Sequence, residues 1–369
     1  MPSISRREFL AYSTVASTAL LLPACPKRDA TLANQVTLYT SADPVVVNAI
    51  VAAASKQLGL VISVVTDTEA TKNMSIMQRL FAERAKPAAD VWWSSEVMSS
   101  VFLEREKVLM PWRPACEKTD FATGWPAPLF GTSWYGVAQR ARVIAFNTNR
   151  VKDADAPQTL EALCDPKWKG RIAIAQPQFG TTRTHIVSLC WQHGPEAVRA
   201  WLTRLKKNEP RLHAGNSAVV AAISQGEADV GLTDTDDVWA GQANQWPVGH
   251  RFEAAIDEAK QPGDAGFVAS VEKLPSCGPT VIPNTVGVVA GGPHPENAKL
   301  LANFLVSVEA ERVMAMSESR NVPIRESLAA ELAKTDQRLL LPKAAYVFWN
   351  AAAGNIEEAD KLIAEFFPV

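Results

Sequence analysis

The sequence has almost no net charge and, after its first two dozen residues, no long apolar run. Its 369 residues include 37 basic and 39 acidic side chains, so no charge excess attracts the protein to nucleic acid or to an acidic membrane surface. A membrane-spanning helix needs roughly 18 or more consecutive apolar residues, and none follow the N-terminal segment. With 47% apolar residues, we expect a folded body and no nucleic-acid partner.

Motifs of common envelope enzymes are also missing. The chain has no G-x-S-x-G, no H-E-x-x-H and no glycine pattern of a dinucleotide or phosphate loop. His185 and Cys190 are five residues apart, about 140° around a helix, so they cannot by themselves act as a nucleophile and its base. We therefore expect that the protein is not an enzyme.

Cysteine is scarce, and no C-x-x-C pair occurs. Of five cysteines, Cys25 belongs to the N-terminal segment, which leaves Cys116, Cys164, Cys190 and Cys277. Four cysteines allow three complete pairings, and disulfides are compatible with an oxidising compartment. Buried free thiols are the alternative, so the cysteines predict neither a zinc site nor a thioredoxin-like site.

The N-terminus has the pattern of an export signal. Arg6 and Arg7 precede an uncharged stretch that ends in Leu-Pro-Ala-Cys25, a basic region followed by an apolar one. The first part resembles the twin-arginine export signal, and the second resembles a lipobox whose cysteine is acylated. We predict a signal peptide at 1–24, a tether at 25–35, and a periplasmic or envelope location with a lipid anchor at Cys25. Ordinary cleavage near Ala24 and free secretion is the alternative.

Short β-branched runs alternate with amphipathic stretches along the rest of the chain, which predicts parallel sheets covered by helices. The predicted strands are 36–40, 60–66, 89–94, 134–147, 171–176, 228–234 and 280–290. No flexible linker separates the two α/β halves. We therefore expect two lobes joined by short crossovers, with a ligand held between them.

Seven phrases in order resemble the periplasmic substrate-binding proteins of ABC importers, in the group of the ferric-iron binders. They are V-T-L-Y-T-S at 36–41, P-A-A-D-V-W-W-S at 87–94, W-Y-G-V-A-Q-R-A-R-V-I-A-F-N at 134–147, L-C-D-P-K-W-K-G at 163–170, Q-G-E-A-D-V-G-L-T at 225–233, I-P-N at 282–284 and 294–299. The resemblance implies an α/β, two-lobed periplasmic-binding-protein fold of type II, with lobe 1 at 36–133 and 285–369 and lobe 2 at 134–284. The cysteine pairing that suits these lobes best joins Cys116 to Cys277 and Cys164 to Cys190.

The resemblance also implies the function. A protein of this group captures iron(III) or a related small ligand outside the cytoplasm and delivers it to the permease and ATPase subunits of an ABC importer. It needs no cofactor other than a bound metal with its small anion, acts as a monomer, and touches the membrane only through its lipid anchor. The alternatives are a small phosphorylated or phosphonate/amine solute as ligand, or a ligand-sensing subunit of a receptor.

Ligands in such sheets lie at the carboxyl ends of strands, which selects the candidate residues of lobe 1. They are Thr40, Ser41, Asp43, Ser95 and Glu96. The resemblance places Asp43 near, and Ser95 at, positions where ferric binders carry His or Glu. Asp43 is alternatively a helix cap, and Glu96 a solvated residue of a first helical turn.

In lobe 2, Gly180, Thr181 and Thr182 begin a helix, where free N–H groups and two hydroxyls can hold an anion. The resemblance adds Asn216 to this anion site and Arg140 as a basic residue of the cleft. Arg142 shares a strand face with Arg140, so one of the two could point to solvent. Trp92 or Trp93 would supply an apolar wall if either is not part of the core.

The sequence departs from the resemblance where ferric binders have two adjacent tyrosines. Asp236 and Asp237 stand there, close to Asp234, and the four tyrosines of the chain are not adjacent: Tyr12, Tyr39, Tyr135 and Tyr346. A two-phenolate iron site therefore cannot form. Carboxylates still suit hard cations, so Asp236 and Asp237 are the predicted metal ligands. Adjacent helical residues point about 100° apart, and we expect only one of the two to face the cleft.

Overall fold

A computed structural model describes residues 33–66, 74–254, 272–318, 320–342 and 347–368. The predicted signal peptide, with Arg6, Arg7 and Cys25, lies outside the described residues. Residues 34–369 form one compact unit. No helix in the described part of the chain is long and apolar enough to span a membrane.

The described residues contain ten strands: β1 (Gln35–Thr40), β2 (Val61–Thr66), β3 (Val91–Ser94), β4 (Leu109–Met110), β5 (Trp134–Asn147), β6 (Ile172–Ala175), β7 (Arg211–His213), β8 (Val230–Asp234), β9 (Val248–Arg251) and β10 (Val281–Val289). They follow the order β2-β1-β3-β10-β5-β8-β6-β7, with β4 beside β10 and β9 beside β5. The predicted strands are confirmed to within two residues, whereas β4, β7 and β9 were not predicted.

The α-helices in the same part of the chain are α1 (Pro44–Leu58), α2 (Met74–Ala82), α3 (Met98–Arg105), α4 (Glu117–Asp120), α5 (Gly180–His193), α6 (Pro195–Lys206), α7 (Asn216–Ser224), α8 (Thr235–Ala243), α9 (Pro295–Leu305), α10 (Val308–Met316), α11 (Glu326–Leu332), α12 (Trp349–Ala352) and α13 (Ile356–Phe366). The start of α1 follows from Asp43-Pro44, since proline suits the first helical position, and Gly59 ends the helix in the left-handed conformation.

Strand β5 joins two halves of the sheet. Its residues 134–141 pair with β10, and its residues 142–147 pair with β8 and β9. The first half also contains the parallel strands β1, β2 and β3, and the second contains the parallel strands β6, β7 and β8. The α/β class is confirmed, and the carboxyl ends of the parallel strands of both halves lie near the junction on β5.

A bulge shapes β5 at this junction. The register against β10 shifts between Pro283 and Asn284, so that Ala138 is the extra residue of β5 and has a φ of 40°. The backbone N–H of Ala138 donates to buried Glu311, and its carbonyl accepts from Asn284. Bulges commonly redirect the side chains that follow them in a strand. Here Arg140 lies two residues after the bulged Ala138.

The lobe boundaries stay a prediction, and one contact departs from them. Helix α13, which the prediction assigns to lobe 1, packs against α5 and α6 of the second half. Its buried Leu362 and Ile363 lie in the same apolar cluster as Trp201. An ion pair between Arg183 of α5 and Asp360 links the exposed side of α13 to α5. The apolar face of α13 is thus covered by the second half of the molecule.

The structure decides whether the cysteines form disulfides. Cys116, Cys164, Cys190 and Cys277 are all free, so the expected pairing of Cys116 with Cys277 and Cys164 with Cys190 is wrong for this structure. Cys277 instead contacts the ring of His193, and burial raises the pKa of the Cys277 thiol.

Trp92 and Trp93 are fully buried. Both belong to the core and do not form an apolar wall of a cleft.

Candidate ligand-binding site

Two carboxylate–guanidinium pairs lie at the junction of the two halves. Arg142 on β5 and Asp234 on β8 are directly opposite in the antiparallel register, and the Arg142 Nη1 to Asp234 Oδ1 distance is 2.8 Å. Both side chains are 2% exposed. Asp234 Oδ2 accepts further hydrogen bonds from the Thr181 hydroxyl at 2.5 Å and from Asn216 Nδ2 at 2.8 Å. Every partner of the Asp234 carboxylate thus comes from the second half or from β5.

Arg140 and Asp236 form the second pair. Arg140 Nε lies 3.1 Å from Asp236 Oδ2, with both side chains less than a tenth exposed. Burial alone would lower the pKa of Arg140, but the nearby Asp236, Asp234, Asp43 and Asp237 carboxylates hold that pKa above its ordinary value. Arg140 therefore stays charged although it is buried.

The other nitrogens of Arg140 reach the first half of the molecule. Nη1 donates to the carbonyl oxygen of Ser95 at 3.0 Å, and Nη2 donates to the side-chain oxygens of Asn284 and Asn321 at 3.0 and 2.9 Å. One guanidinium thus connects β3 and β10 of the first half with α8 of the second. Both Nη atoms of buried Arg140 are hydrogen-bonded, while Nε makes the ion pair with Asp236.

Three carboxylates cluster where α8 begins. Asp234 is the residue before the helix, and Asp236 and Asp237 lie in its first turn. One oxygen from each of the three can be chosen so that all lie within 4.8 Å of one another. Asp236 is 4% exposed and Asp237 is half-buried. The expectation that only one of the two faces the cleft stays a prediction. Such a group of hard oxygen donors has the composition of a cation site.

The predicted residues of the first half bond mainly to one another. The Thr40 hydroxyl accepts from Ala42 N–H, and the Ser41 hydroxyl accepts from Ser95 N–H at 3.0 Å and contacts the Ser95 hydroxyl. Asp43 precedes α1 without a capping hydrogen bond from its side chain and contributes to the raised pKa of Arg140. Thr40 and Ser41 therefore support the loop beside Ser95, while Asp43 belongs to the electrostatic surroundings of Arg140.

Glu96 is buried and holds the two halves together, so its interpretation as a solvated residue is wrong. Its carboxylate accepts from Met98 N–H and Ser99 N–H at the start of α3, which is the role of a helix cap. The same carboxylate accepts from the Thr184 hydroxyl on α5 at 2.7 Å. Glu96 thus connects the start of α3 with Thr184, near the start of α5 in the other half.

The predicted anion cradle at the start of α5 is already occupied by side chains. Gly180 begins the helix at a φ of 64°. The Thr181 hydroxyl is bonded to Asp234 and Asn216, and the Thr182 hydroxyl is 3.5 Å from Asn216 Oδ1. The structure brings Thr181, Thr182 and Asn216 together as predicted. Thr181 and Asn216 both donate to the Asp234 carboxylate, and Thr182 contacts Asn216.

The sequence analysis did not select four residues that form hydrogen bonds in this site: Arg142, Thr184, Asn284 and Asn321. Arg142 was left as a possible surface residue, yet it is 3% exposed. Two features could have indicated that Arg142 is buried. It lies two residues after Arg140, and the strand that pairs with it ends in Asp234. Asn284 lies in the matched I-P-N phrase, whereas nothing local distinguishes Asn321 or Thr184 from ordinary polar residues.

A sheet in two halves, joined by a long strand and with buried charged side chains at the junction, defines a two-lobed binding protein. A family model described as bacterial extracellular solute-binding protein matches residues 114–349. The chain belongs to this family, whose members bind solutes.

Three relatives illustrate the similarity. The chain is 27% identical to iron uptake protein A1 of Synechocystis over 343 residues, which cover 89% of this chain and 90% of that protein. Iron-bound HitA from Pseudomonas aeruginosa superposes with a TM-score of 0.72 at 22% identity, covering 90% of this chain and 99% of that one. A Trichodesmium protein in complex with iron and citrate gives 0.69 at 22% identity, covering 91% and 100%. The fold is that of type II periplasmic binding proteins.

Proposed function

We propose that this protein is the extracytoplasmic solute-binding component of an ABC importer and that its cargo is ferric iron. The cluster of Asp234, Asp236 and Asp237 is the observation that carries the proposal. Relatives that match most of the chain are named as iron uptake or iron-bound proteins, which favours iron over the phosphonate-type solute.

The cluster suits a small cation of high charge. Ferric iron is a hard cation that prefers anionic oxygen ligands, and three aspartates supply them from one short segment. Two of these aspartates are paired with Arg142 and Arg140 in this structure. Iron must therefore compete with the two guanidinium groups for the same oxygens. A buried guanidinium group that loses its carboxylate partner lowers the stability of the protein.

An accompanying small anion removes that cost. Once iron draws Asp234 and Asp236 away, Arg140 and Arg142 can pair with an anion that also binds the metal. Thr181, Thr182 and Asn216 are placed to donate hydrogen bonds to the same anion, next to the start of α5. On this proposal the protein needs no resident cofactor and carries out no catalysis.

The two halves supply the movement that a transporter can detect. The three aspartates begin α8 of the second half, and Glu96 and Arg140 form hydrogen bonds between the two halves. Binding that adds contacts to both lobes stabilises the closed arrangement. The closed monomer would then deliver its cargo to the permease and ATPase subunits.

The location follows from the N-terminal pattern. We propose export by the twin-arginine route through Arg6 and Arg7, followed by acylation of Cys25 and attachment to the cell envelope. A sensing subunit of a receptor would have the same location. Transport of radioactive iron into cells that contain or lack the gene distinguishes the importer from the sensor.

The direct test measures iron on the protein. Protein purified from its own periplasm should contain about one iron atom per chain by elemental analysis with native mass spectrometry. Calorimetric titration with ferric citrate should show binding that Asp236→Asn weakens by roughly thirtyfold, the equivalent of about 2 kcal/mol for a charged contact. Asn244→Asp, at the residue that follows the same helix and outside the cluster, is the control. Purified protein that holds no iron and does not bind ferric citrate would refute the proposal.

A further inference from the structure

A cavity of about 260 Å³ lies where α3, α5 and α13 meet. Phe102 of α3 borders it from the first half of the molecule, and Arg183 of α5 borders it from the second. Its volume exceeds the roughly 150 Å³ of an apolar cavity that is known to bind benzene in another protein. The cavity therefore has room for a small organic molecule between the two halves.

The cavity is separate from the carboxylate cluster. None of Asp234, Asp236 and Asp237 borders it, and neither do Arg140 and Arg142. A ligand in the cavity is therefore recognised by other residues than the proposed iron site provides.

Much of the cavity wall is apolar. Met77, Met98, Phe102, Phe179 and Ile356 contribute to it. An organic molecule gains from the removal of its apolar surface from water, and it gains dispersion contacts with these thioether, aromatic and aliphatic groups. An inorganic ion gains neither.

The buried carboxylate in the wall already has its full set of donors. Glu96 accepts hydrogen bonds from Met98 N–H, Ser99 N–H, the Ser99 hydroxyl and the Thr184 hydroxyl. A carboxylate has about four acceptor positions on its two oxygens. Glu96 therefore has no position left for a donor on a ligand.

The other two charged side chains of the described wall are paired with each other. Arg183 Nε donates to Asp360 Oδ1 and Arg183 Nη2 donates to Asp360 Oδ2, both at 2.8 Å, which is the two-bond geometry of a strong pair. A charged ligand would enter the cavity without a free counter-ion, and burial of such a charge is unfavourable. The wall therefore selects a neutral ligand.

We propose that this cavity is a second ligand site, for a small neutral organic molecule with a mainly apolar surface, such as a one-ring aromatic compound. The ligand contacts α3 of the first half and α5 of the second, so its binding favours the arrangement in which the two helices lie together. The inference does not depend on iron as the cargo, because the two sites share no residue.

Three compounds with the same ring test the charge selection. Phenol is neutral at pH 7, benzoate is negative and benzylamine is positive. In calorimetric titrations of the wild type, phenol should bind at one saturable site, and the two charged compounds should bind at least about tenfold more weakly because their charge stays unpaired. Benzoate or benzylamine binding as tightly as phenol would overturn the neutral class, and a wild type that does not bind phenol would overturn the site.

A cavity-filling variant tests the location. Ile356 is half-buried in the wall, and Ile356→Trp should occupy the space of the ring and lower the affinity for phenol by about tenfold or more. Ala364→Trp is the matched control, because Ala364 is exposed on the same helix, and it should bind phenol as the wild type does. Unchanged phenol affinity in Ile356→Trp would overturn the assignment to this cavity.

Two wall variants test whether the ligand contacts both halves. Phe102→Ala removes a ring from α3, and Phe179→Ala removes one beside the start of α5. Each should weaken phenol binding by about threefold or more through lost dispersion contacts, while circular dichroism and urea unfolding show that the variants are folded. A loss in only one of the two folded variants would contradict a site between the halves.

Discussion

Replacement of Asp236 by asparagine tests whether the carboxylate cluster is held by the buried arginines. Asp236 Oδ2 lies 3.1 Å from Arg140 Nε, and both side chains are less than a tenth exposed. Asparagine has nearly the same shape but no charge. The substitution therefore leaves the Arg140 guanidinium buried without this counter-ion, while its bonds to Ser95, Asn284 and Asn321 remain.

Breaking a buried ion pair by neutralising one partner costs about 3–5 kcal/mol. We expect Asp236→Asn to lower the free energy of unfolding by about 3 kcal/mol, at the lower end because other polar partners and the carboxylates of Asp234 and Asp43 stay near Arg140. In an Arg140→Met background no guanidinium is left unpaired. There the buried Asp236 carboxylate also lacks this counter-ion, so the same substitution should cost about 0 kcal/mol, which gives a coupling energy of about 3 kcal/mol.

Urea unfolding followed by tryptophan fluorescence measures the four corners of this cycle, and the chain has 11 tryptophans as probes. Asp237→Asn is the matched control, because Asp237 is the adjacent and more exposed member of the cluster. It should change the free energy of unfolding by less than about 1 kcal/mol. An equal cost of Asp236→Asn with and without Arg140, or an equal cost at Asp237, would show that the pairing does not stabilise the site.

Three further predictions concern spectra, pH and anchoring. Protein loaded with ferric citrate should lack the intense visible band of two phenolates bound to iron, because the sequence has no adjacent tyrosine pair; such a band would contradict the carboxylate site. Burial raises the pKa of Glu253 to about 8 from 4.5, so the folded state loses stability relative to the unfolded chain as pH rises between these values. Glu253→Gln should remove this loss, on the order of 5 kcal/mol by pH 8, and a gain in urea stability that is the same at pH 4 and pH 8 would disprove it. A palmitate analogue should label the wild type but not Cys25→Ala, and label on both proteins would exclude this anchor.

The regular elements could be predicted because their patterns are local. Strands such as β1 and β8 are short β-branched runs, and α1 begins at Asp43-Pro44 and ends at Gly59, each with its own backbone preference. Strands β7 and β9 were missed. They are short and contain Arg211, His213, His250 and Arg251, so the strand pattern is weak and only pairing with a neighbour makes them strands.

The site could be predicted in composition but not in its pairing. The end of a predicted strand pointed to Asp234, and the resemblance to the ferric binders pointed to Asp236 and Arg140. The position of Arg142 was open, because strand alternation does not tell which face will be covered. Its burial follows from β8 and α5, which bring Asp234 and Thr181 against it.

The sequence by itself determined the α/β class, the absence of a tyrosine pair and the set of carboxylates available for a cation, because these depend on residue identity and local periodicity. Only the tertiary structure decided that Asp234 and Asp236 are each paired with a buried arginine and that Glu96 joins the two halves. These features arise from residues as far apart as Ser95, Arg140 and Asn321. Contacts over such separations depend on the packing of the whole sheet and its helices, which no local pattern encodes.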